Sequence, residues 1–136
     1  MQDISLRWLD GRFAVCRLDP SSDKPRLGDF ESDEFLAIIR TPTEVAMVCP
    51  EDQAPGSAAV EPGWVGLRVV GTLEFEMVGI ISRLATTLAD AAIPIFVMST
   101  FDTDYVFVQQ SYAAAADHAL LRVEHVQIVN DPPHGD

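Results

Sequence analysis

Residues 88–108, LADAAIPIFVMSTFDTDYVFV, contain the pattern that decides the fold. The stretch ends a segment with helical spacing and continues into two apolar runs, residues 93–99 and 105–108. A polar turn separates these runs, and they predict two short strands because they are rich in β-branched and aromatic residues. Upstream, residues 77–92 carry apolar side chains at helical spacing, which predicts a helix with one buried face.

The flanking segments extend this pattern in both directions. Residues 64–70 are rich in β-formers and predict a strand before the helix. After the two central strands, Ser111 is predicted to cap a helix that runs to about Leu121, and residues 123–129 predict a final strand. The resulting order, β-α-β-β-α-β, is that of the ferredoxin-like fold.

The first half of the chain predicts strands without helices. Residues 4–9 and 13–18 flank Asp10-Gly11, a pair that favours a tight hairpin between the two runs. Two further runs, residues 35–39 and 45–49, surround a turn, and residues 50–63 are predicted to connect the two halves.

We therefore expect an α+β protein made of two tandem ferredoxin-like units. Residues 1–60 would form a reduced first unit, residues 61–130 a complete second unit, and residues 131–136 a flexible tail.

A short internal repeat supports this division. Residues 40–48 resemble residues 100–108 at an offset of 60, with Thr43-Glu44 aligned to Thr103-Asp104. An apolar run precedes and follows each turn, so the repeat predicts two related hairpins.

Composition and motifs exclude several classes of function. The chain has 9 basic and 21 acidic residues, and its net charge of -12 disfavours nucleic acids and anionic membranes. It shows no secretory signal and no apolar run long enough to span a membrane, so we expect a cytoplasmic protein. Cys16 and Cys49 lie in apolar runs and are predicted to be buried. No metal spacing, phosphate-binding loop or activated nucleophile is present, so we expect neither a cofactor nor an enzyme.

The junction between the predicted strand and the first helix is one candidate site. Gly79 would let a ligand approach the backbone, and unpaired amides in the first helical turn favour a carboxylate. Glu74 or Glu76 would hold an ammonium group nearby. The alternative is structural: Glu76 caps the helix and Gly79 eases its packing.

The turn at residues 99–105 is the second candidate site. Asp102 and Asp104 would bind a cation or an ammonium group. The alternative is that these carboxylates bond to their own backbone and only shape the turn.

The chain resembles the ACT-domain family. Residues 73–81 and 88–108 carry the resemblance, together with residues 13–18, residues 40–45 and Trp64. The similarity extends from about Ile4 to Val129 and is greatest to the tandem ACT proteins related to the CASTOR-type arginine sensors.

This resemblance implies that the units pair side by side, joining their sheets, and that they bind an amino acid, arginine or another, at an interface between units. Such binding would regulate allosterically, through a protein partner that the sequence does not identify. An exposed sheet edge would invite pairing, so we also expect a homodimer. The implied ligand-binding residues are Glu76, Val78, Gly79, Ile80, Thr100, Phe101, Asp102 and Asp104, with Val45 and Ala46 from the first half.

One residue departs from the family pattern. Relatives commonly carry Ser where this chain has Ala46, and the missing hydroxyl leaves the identity of the ligand open. An alternative function is therefore a dimerisation or protein-interaction module that binds no ligand.

Overall fold

The computed structural model describes residues 3–21, 25–31, 34–56, 59–70 and 79–134. The protein is a sheet-dominated α+β chain with two α-helices among these residues. Its strands are β1 (Ile4–Trp8), β2 (Phe13–Leu18), β3 (Ala37–Arg40), β4 (Val45–Pro50), β5 (Ala59–Val69), β6 (Ile95–Ser99), β7 (Asp104–Gln109) and β8 (Val126–Ile128). The helices are α1 (Ile80–Asp90) and α2 (Ala113–Leu121).

The chain divides into two compact units. The N-terminal unit is Asp10–Trp64, and the C-terminal unit combines Met1–Leu9 with Val65–Asp136. Strand β5 contributes its residues up to Trp64 to the N-terminal unit and its remaining residues to the C-terminal unit.

The N-terminal unit is an antiparallel sheet in the strand order β3-β4-β2-β5. Alternate residues of β2 and β4 share one face, as expected from the two-residue period of a strand. Their side chains form the core of this unit: Ala14, Cys16, Leu18, Val45, Met47 and Cys49.

Strand β5 begins earlier than the sequence indicated. Residues 59–63 were predicted to lie in a connection because they contain Pro62 and Gly63, yet they pair with β2. The register shifts between Phe13 and Val15, which marks a bulge, a position where a strand tolerates proline. Gly63 has a φ of 87°, and its amide donates to Glu51 Oε2 at 2.9 Å.

The C-terminal unit has the strand order β8-β1-β5-β7-β6. Strand β1 lies between β5 and β8, antiparallel to the first and parallel to the second. The hairpin predicted at Asp10-Gly11 is therefore wrong: β1 pairs with β5 and β8, and β2 pairs with β4 and β5. The predicted boundary also differs here, since β1 was expected to lie in the first unit.

Burial explains why β1 joins the C-terminal unit. Ile4, Leu6 and Trp8 are each at most 1% exposed and belong to the core of that unit. Helix α1 packs onto this core through Ile80, Leu84 and Leu88, and α2 through Ala113, Ala116 and Leu120.

Polar contacts hold Trp8 in this core. Its indole Nε1 donates to Asp117 Oδ1 on α2 at 2.8 Å. The Asn130 side chain accepts from the backbone N–H of Trp8 at 2.8 Å and donates to its carbonyl at 2.9 Å. The end of the chain is therefore bonded to its first strand.

Helix α2 begins differently from the prediction. Ser111 was expected to cap it, but Gln110–Tyr112 form a 3-10 turn and Tyr112 precedes the first residue of α2. None of the side chains that the structure describes caps this helix start. The 3-10 turn extends the helical segment N-terminally, so Ser111 lies inside it.

We predict that Asp117→Ala lowers the free energy of unfolding by about 1–3 kcal/mol, because it leaves the buried indole N–H of Trp8 without its acceptor. Asp90→Ala, an exposed acid at the end of α1, should change it by less than about 0.5 kcal/mol. Urea denaturation measures both, and equal effects would contradict the structural role of the Trp8–Asp117 bond.

Gly66 provides a second test of packing in the C-terminal unit. A Cβ at this position would lie 2.8 Å from Phe107 Cε2 and 2.9 Å from Leu9 Cδ1. Gly66→Ala should therefore destabilise the protein by about 1–3 kcal/mol through overpacking. Gly28→Ala is the matched control, since nothing lies within 4 Å of its added methyl group; thermal unfolding that ranks the two variants in the reverse order would refute the close approach.

Candidate functional site

The first candidate site is described from Gly79 onward, because Glu74, Glu76 and Val78 lie outside the described residues. Gly79 has a φ of 80° and precedes α1 as its N-cap. Its carbonyl accepts from Arg83 N at 2.9 Å, and space for a Cβ is open. The left-handed backbone alone accounts for glycine here.

Ile80 offers a ligand only its backbone. Its side chain is buried in the core of the C-terminal unit, which anchors the first turn of α1. Gly79 supplies no capping side chain, so the first amides of this helix keep hydrogen-bonding capacity. Such amides can donate to a carboxylate, so carboxylate binding here stays a prediction.

The second candidate site is the turn between β6 and β7, closed by the pair Ser99 and Asp104. Thr100 N donates to Thr103 O at 2.8 Å, and Thr103 N donates to Thr100 Oγ1 at 3.2 Å. Thr103 is buried, and its hydroxyl donates to the Val69 carbonyl at 2.6 Å. Threonines thus shape the turn and anchor it to β5.

The remaining residues of this turn face solvent. Phe101 and Asp102 are exposed, with the Phe101 ring fully accessible. Asp104 is half-buried and accepts a hydrogen bond from the Ser99 hydroxyl. The Thr100 side chain makes the bonds that the alternative interpretation assigned to the aspartates, so their carboxylates can still contact a cation.

The turn between β3 and β4 in the N-terminal unit has the same construction. It is closed by Arg40 and Val45, and Thr41 N donates to Glu44 O at 2.9 Å. Glu44 N donates to Thr41 Oγ1 at 3.1 Å. Residues 41–44 thus correspond to residues 100–103, which makes the offset of the repeat 59 rather than 60.

This register aligns Val45 with Asp104, so the two hairpins differ where a ligand contact was predicted. Val45 is buried in the core of the N-terminal unit. Ala46 lies on the other face, directly opposite Arg17 on β2 and Ile39 on β3.

Arg17 belongs to a cavity that sequence analysis missed. The cavity has a volume of about 450 Å³ in the N-terminal unit. It is lined by Arg17, Leu18, Asp19, Pro20, Thr43 and Ala59. A guanidinium and a carboxylate therefore lie around one depression, which suits a ligand that carries both charges.

Asp19 stays ionised in this cavity because Ser21 donates to it from both its hydroxyl and its backbone N–H. These bonds, of 2.6 and 2.8 Å, lower the pKa of the Asp19 carboxyl. The sequence gives little indication of this cavity, because Arg17 comes to lie opposite Ala46 only through the pairing of β2 with β4.

The two cysteines are buried, as predicted. Burial raises the pKa of Cys16 and, with the neighbouring Cys16 thiol, raises the pKa of Cys49 to about 12. Both thiols are therefore neutral at physiological pH and unsuited to nucleophilic chemistry.

Two features that would indicate other functions are absent from the described residues. These residues contain no cluster of three or more His, Cys, Asp or Glu side chains that could hold a metal ion. Neither α-helix described by the structure is long and apolar enough to cross a membrane.

We predict that Thr103→Val lowers the free energy of unfolding by about 1–3 kcal/mol, because it leaves the Val69 carbonyl without the buried hydroxyl donor. Thr86→Val, an exposed position on α1, is the control for the same chemical change. Chemical denaturation compares them, and a Thr103→Val variant as stable as the control would show that this bond does not anchor the turn.

Comparison with protein families supports an ACT domain in the second half of the chain. The family model described as ACT domain matches residues 59–122. A second model, of an N-terminal domain, matches residues 11–57. The search of curated proteins gives no match for this chain.

Solved structures share the fold over most of the chain. A protein from Agobacterium tumefaciens is 28% identical, with a TM-score of 0.81, over 99% of this chain and 100% of its own. A protein from Vibrio cholerae is 26% identical, with a TM-score of 0.65, over 87% of this chain and 88% of its own.

An aspartate kinase regulatory subunit also has a similar fold. The subunit from Thermus thermophilus, in its ligand-free form, is 14% identical with a TM-score of 0.56, over 84% of this chain and 93% of its own. This likeness concerns the fold alone. The family model thus matches residues 59–122 to the ACT domain, and the solved structures show a shared fold.

Proposed function

We propose that this protein is a non-enzymatic regulatory module that senses an amino acid. The observation that carries the proposal is the ACT-domain match over residues 59–122 in a chain whose fold resembles a kinase regulatory subunit. The N-terminal unit would be a reduced ACT-like partner of the C-terminal unit, in a tandem arrangement like that of the CASTOR-type arginine sensors.

The proposed site has a separate group for each charge of an amino acid. Amides of Gly79 and Ile80 would bind the carboxylate, helped by the dipole of α1. Asp102, Asp104 or Glu76 would bind the ammonium group or a cationic side chain. Val78, Thr100 and Phe101 would complete the contacts.

Two features of the described residues support this assignment. Within the described part of the chain no side chain caps the start of α1, which leaves its amides as candidate donors to a ligand. The turn at residues 100–103 is held by its threonines, so Asp104 is presented from a fixed backbone. Preorganised groups lose less entropy on binding than mobile ones.

Regulation would follow from differential affinity. An amino acid that binds one arrangement of the protein more tightly than another shifts the population between them. The output would be the state of a cytoplasmic homodimer or of a protein partner. The arginine-sensor relationship predicts arginine as the first ligand to test, but the alanine at position 46 removes a hydroxyl that relatives commonly offer.

A second candidate function is a protein-interaction module that binds no ligand. The fully exposed ring of Phe101 at the tip of the β6–β7 hairpin favours it, because a solvated aromatic side chain is a common interface anchor. Ala46 favours it as well.

Thermal unfolding with each of the twenty amino acids at millimolar concentration tests the proposal. A ligand at 100 times its Kd adds about 2.7 kcal/mol, which should raise the midpoint by several degrees. We expect this response to one amino acid or to a few related ones. A cooperative transition that no amino acid shifts would reject sensing in favour of the interaction module.

Single variants would then locate the binding residues. Asp104→Asn should weaken binding about tenfold to a hundredfold by removing a charged hydrogen bond, whereas Asp131→Asn, an exposed acid near the C-terminus, should not. The cavity of the N-terminal unit is tested in the same way by Arg17→Gln, and Arg40→Gln serves as the control. Loss of the response in Arg17→Gln alone would move the site to that cavity.

A further inference from the structure

The cavity of the N-terminal unit is built around an arginine that no described residue pairs with. Cys16 and Leu18 of β2 face the core of this unit, so Arg17 lies on the opposite face of the sheet. Its side chain is exposed, and it forms neither an ion pair nor a hydrogen bond with a residue that the structure describes. The guanidinium group therefore keeps its donors for another molecule.

Small neighbours leave open space beside this guanidinium group. Arg17 lies opposite Ala46 on β4 and Ala59 on β5. Directly opposite side chains start about 4.5–5.5 Å apart, so longer side chains at these two positions would fill the depression. The resulting cavity, of about 450 Å³, falls in the range of about 300–1,000 Å³ that is usual for small-molecule sites. A free amino acid therefore fits into it.

A carboxylate and a hydroxyl group also line the cavity. Asp19 follows Arg17 by two residues, which in extended chain is about 6–7 Å. Ser21 donates twice to Asp19 Oδ1 and lowers the pKa of this carboxyl, so it is ionised at neutral pH. A carboxylate has about four lone-pair sites and can accept further hydrogen bonds. Thr43 adds its hydroxyl group from the β3–β4 turn. Opposite charges thus lie one small molecule apart.

The other charges beside the cavity are negative. Glu61 pairs with Val15 and therefore lies diagonal to Arg17 on the same face of the sheet, about 7–8 Å away. Glu44 ends the neighbouring β3–β4 turn. Together with Asp19, these acids give the surroundings of one guanidinium group an excess of negative charge. Such a site disfavours a ligand with an additional carboxylate and favours one with an additional cation.

We propose that this cavity is a second binding site, for a free α-amino acid with a neutral or basic side chain. Arg17 would bind the carboxylate of the amino acid through two parallel N–H···O bonds. Asp19 would accept from its ammonium group, and Thr43 would contribute a further hydrogen bond. The cavity is lined from within the N-terminal unit, so it goes beyond the site proposed at α1 and does not depend on it.

Proton–nitrogen NMR spectra of the full chain test the proposal while lysine, alanine or glutamate is added at constant pH and ionic strength. The signals to follow are the side-chain Nε–H of Arg17 and the amides of Ala46 and Ala59. We expect saturable shifts with lysine or alanine, and binding of glutamate about tenfold weaker or less. The proposal is overturned if neither lysine nor alanine shifts these signals, or if glutamate binds as well as they do.

Variants then assign the binding to the charged pair. Arg17→Gln should weaken binding at these signals about tenfold to a hundredfold, because it removes a charged hydrogen-bond donor. Asp19→Asn should weaken it in the same direction. Arg40→Gln is the matched control: this exposed arginine pairs with Val45 and lies on the core-facing side of the sheet. Equal affinities of Arg17→Gln and Arg40→Gln, both with the spectrum of a folded protein, would contradict the proposal.

The two proposed sites can fail separately in this experiment. Asp104→Asn should leave the shifts at Arg17 and Ala59 intact, because that residue belongs to the C-terminal unit. Shifts confined to Gly79 and Ile80 would keep the sensing proposal and overturn this one. Shifts confined to the cavity would support the second site alone.

Discussion

Insertion of β1 into the sheet of the C-terminal unit is the constraint on which that unit depends. The strand contributes three almost fully buried side chains to the same core that contains the buried residues of both helices. Its pairing with β5 and β8 joins the start of the chain to its end, and the Asn130 side chain strengthens this link through both backbone groups of Trp8.

The two threonine turns are the second organising feature. Each uses a threonine hydroxyl as an acceptor for a later amide, and each closes a hairpin of two adjacent strands. The two turns differ at the next residue: a buried valine follows in the N-terminal unit, whereas a half-buried aspartate follows in the C-terminal unit. In the proposed function, this aspartate is the charged group that would contact the amino acid.

Sequence alone predicted the elements whose signals are local. The period of apolar residues indicated α1, and β-branched runs indicated β2, β4 and β7. Pairing was harder, because the partner of β1 lies some sixty residues away while Asp10-Gly11 suggests a nearer one. The start of β5 was missed because Pro62 and Gly63 resemble loop residues unless the bulge is known. Arg17 gave no signal, since strand register creates its environment.

The central claim is that an amino acid binds the start of α1 and the β6–β7 turn. Proton–nitrogen NMR spectra of the protein, recorded while the amino acid that stabilises it is added, test this residue by residue. The account predicts saturable shifts of the amide signals of Gly79, Ile80, Thr100 and Asp104, with the strand cores unchanged. Saturating ligand that leaves these four signals in place would contradict it.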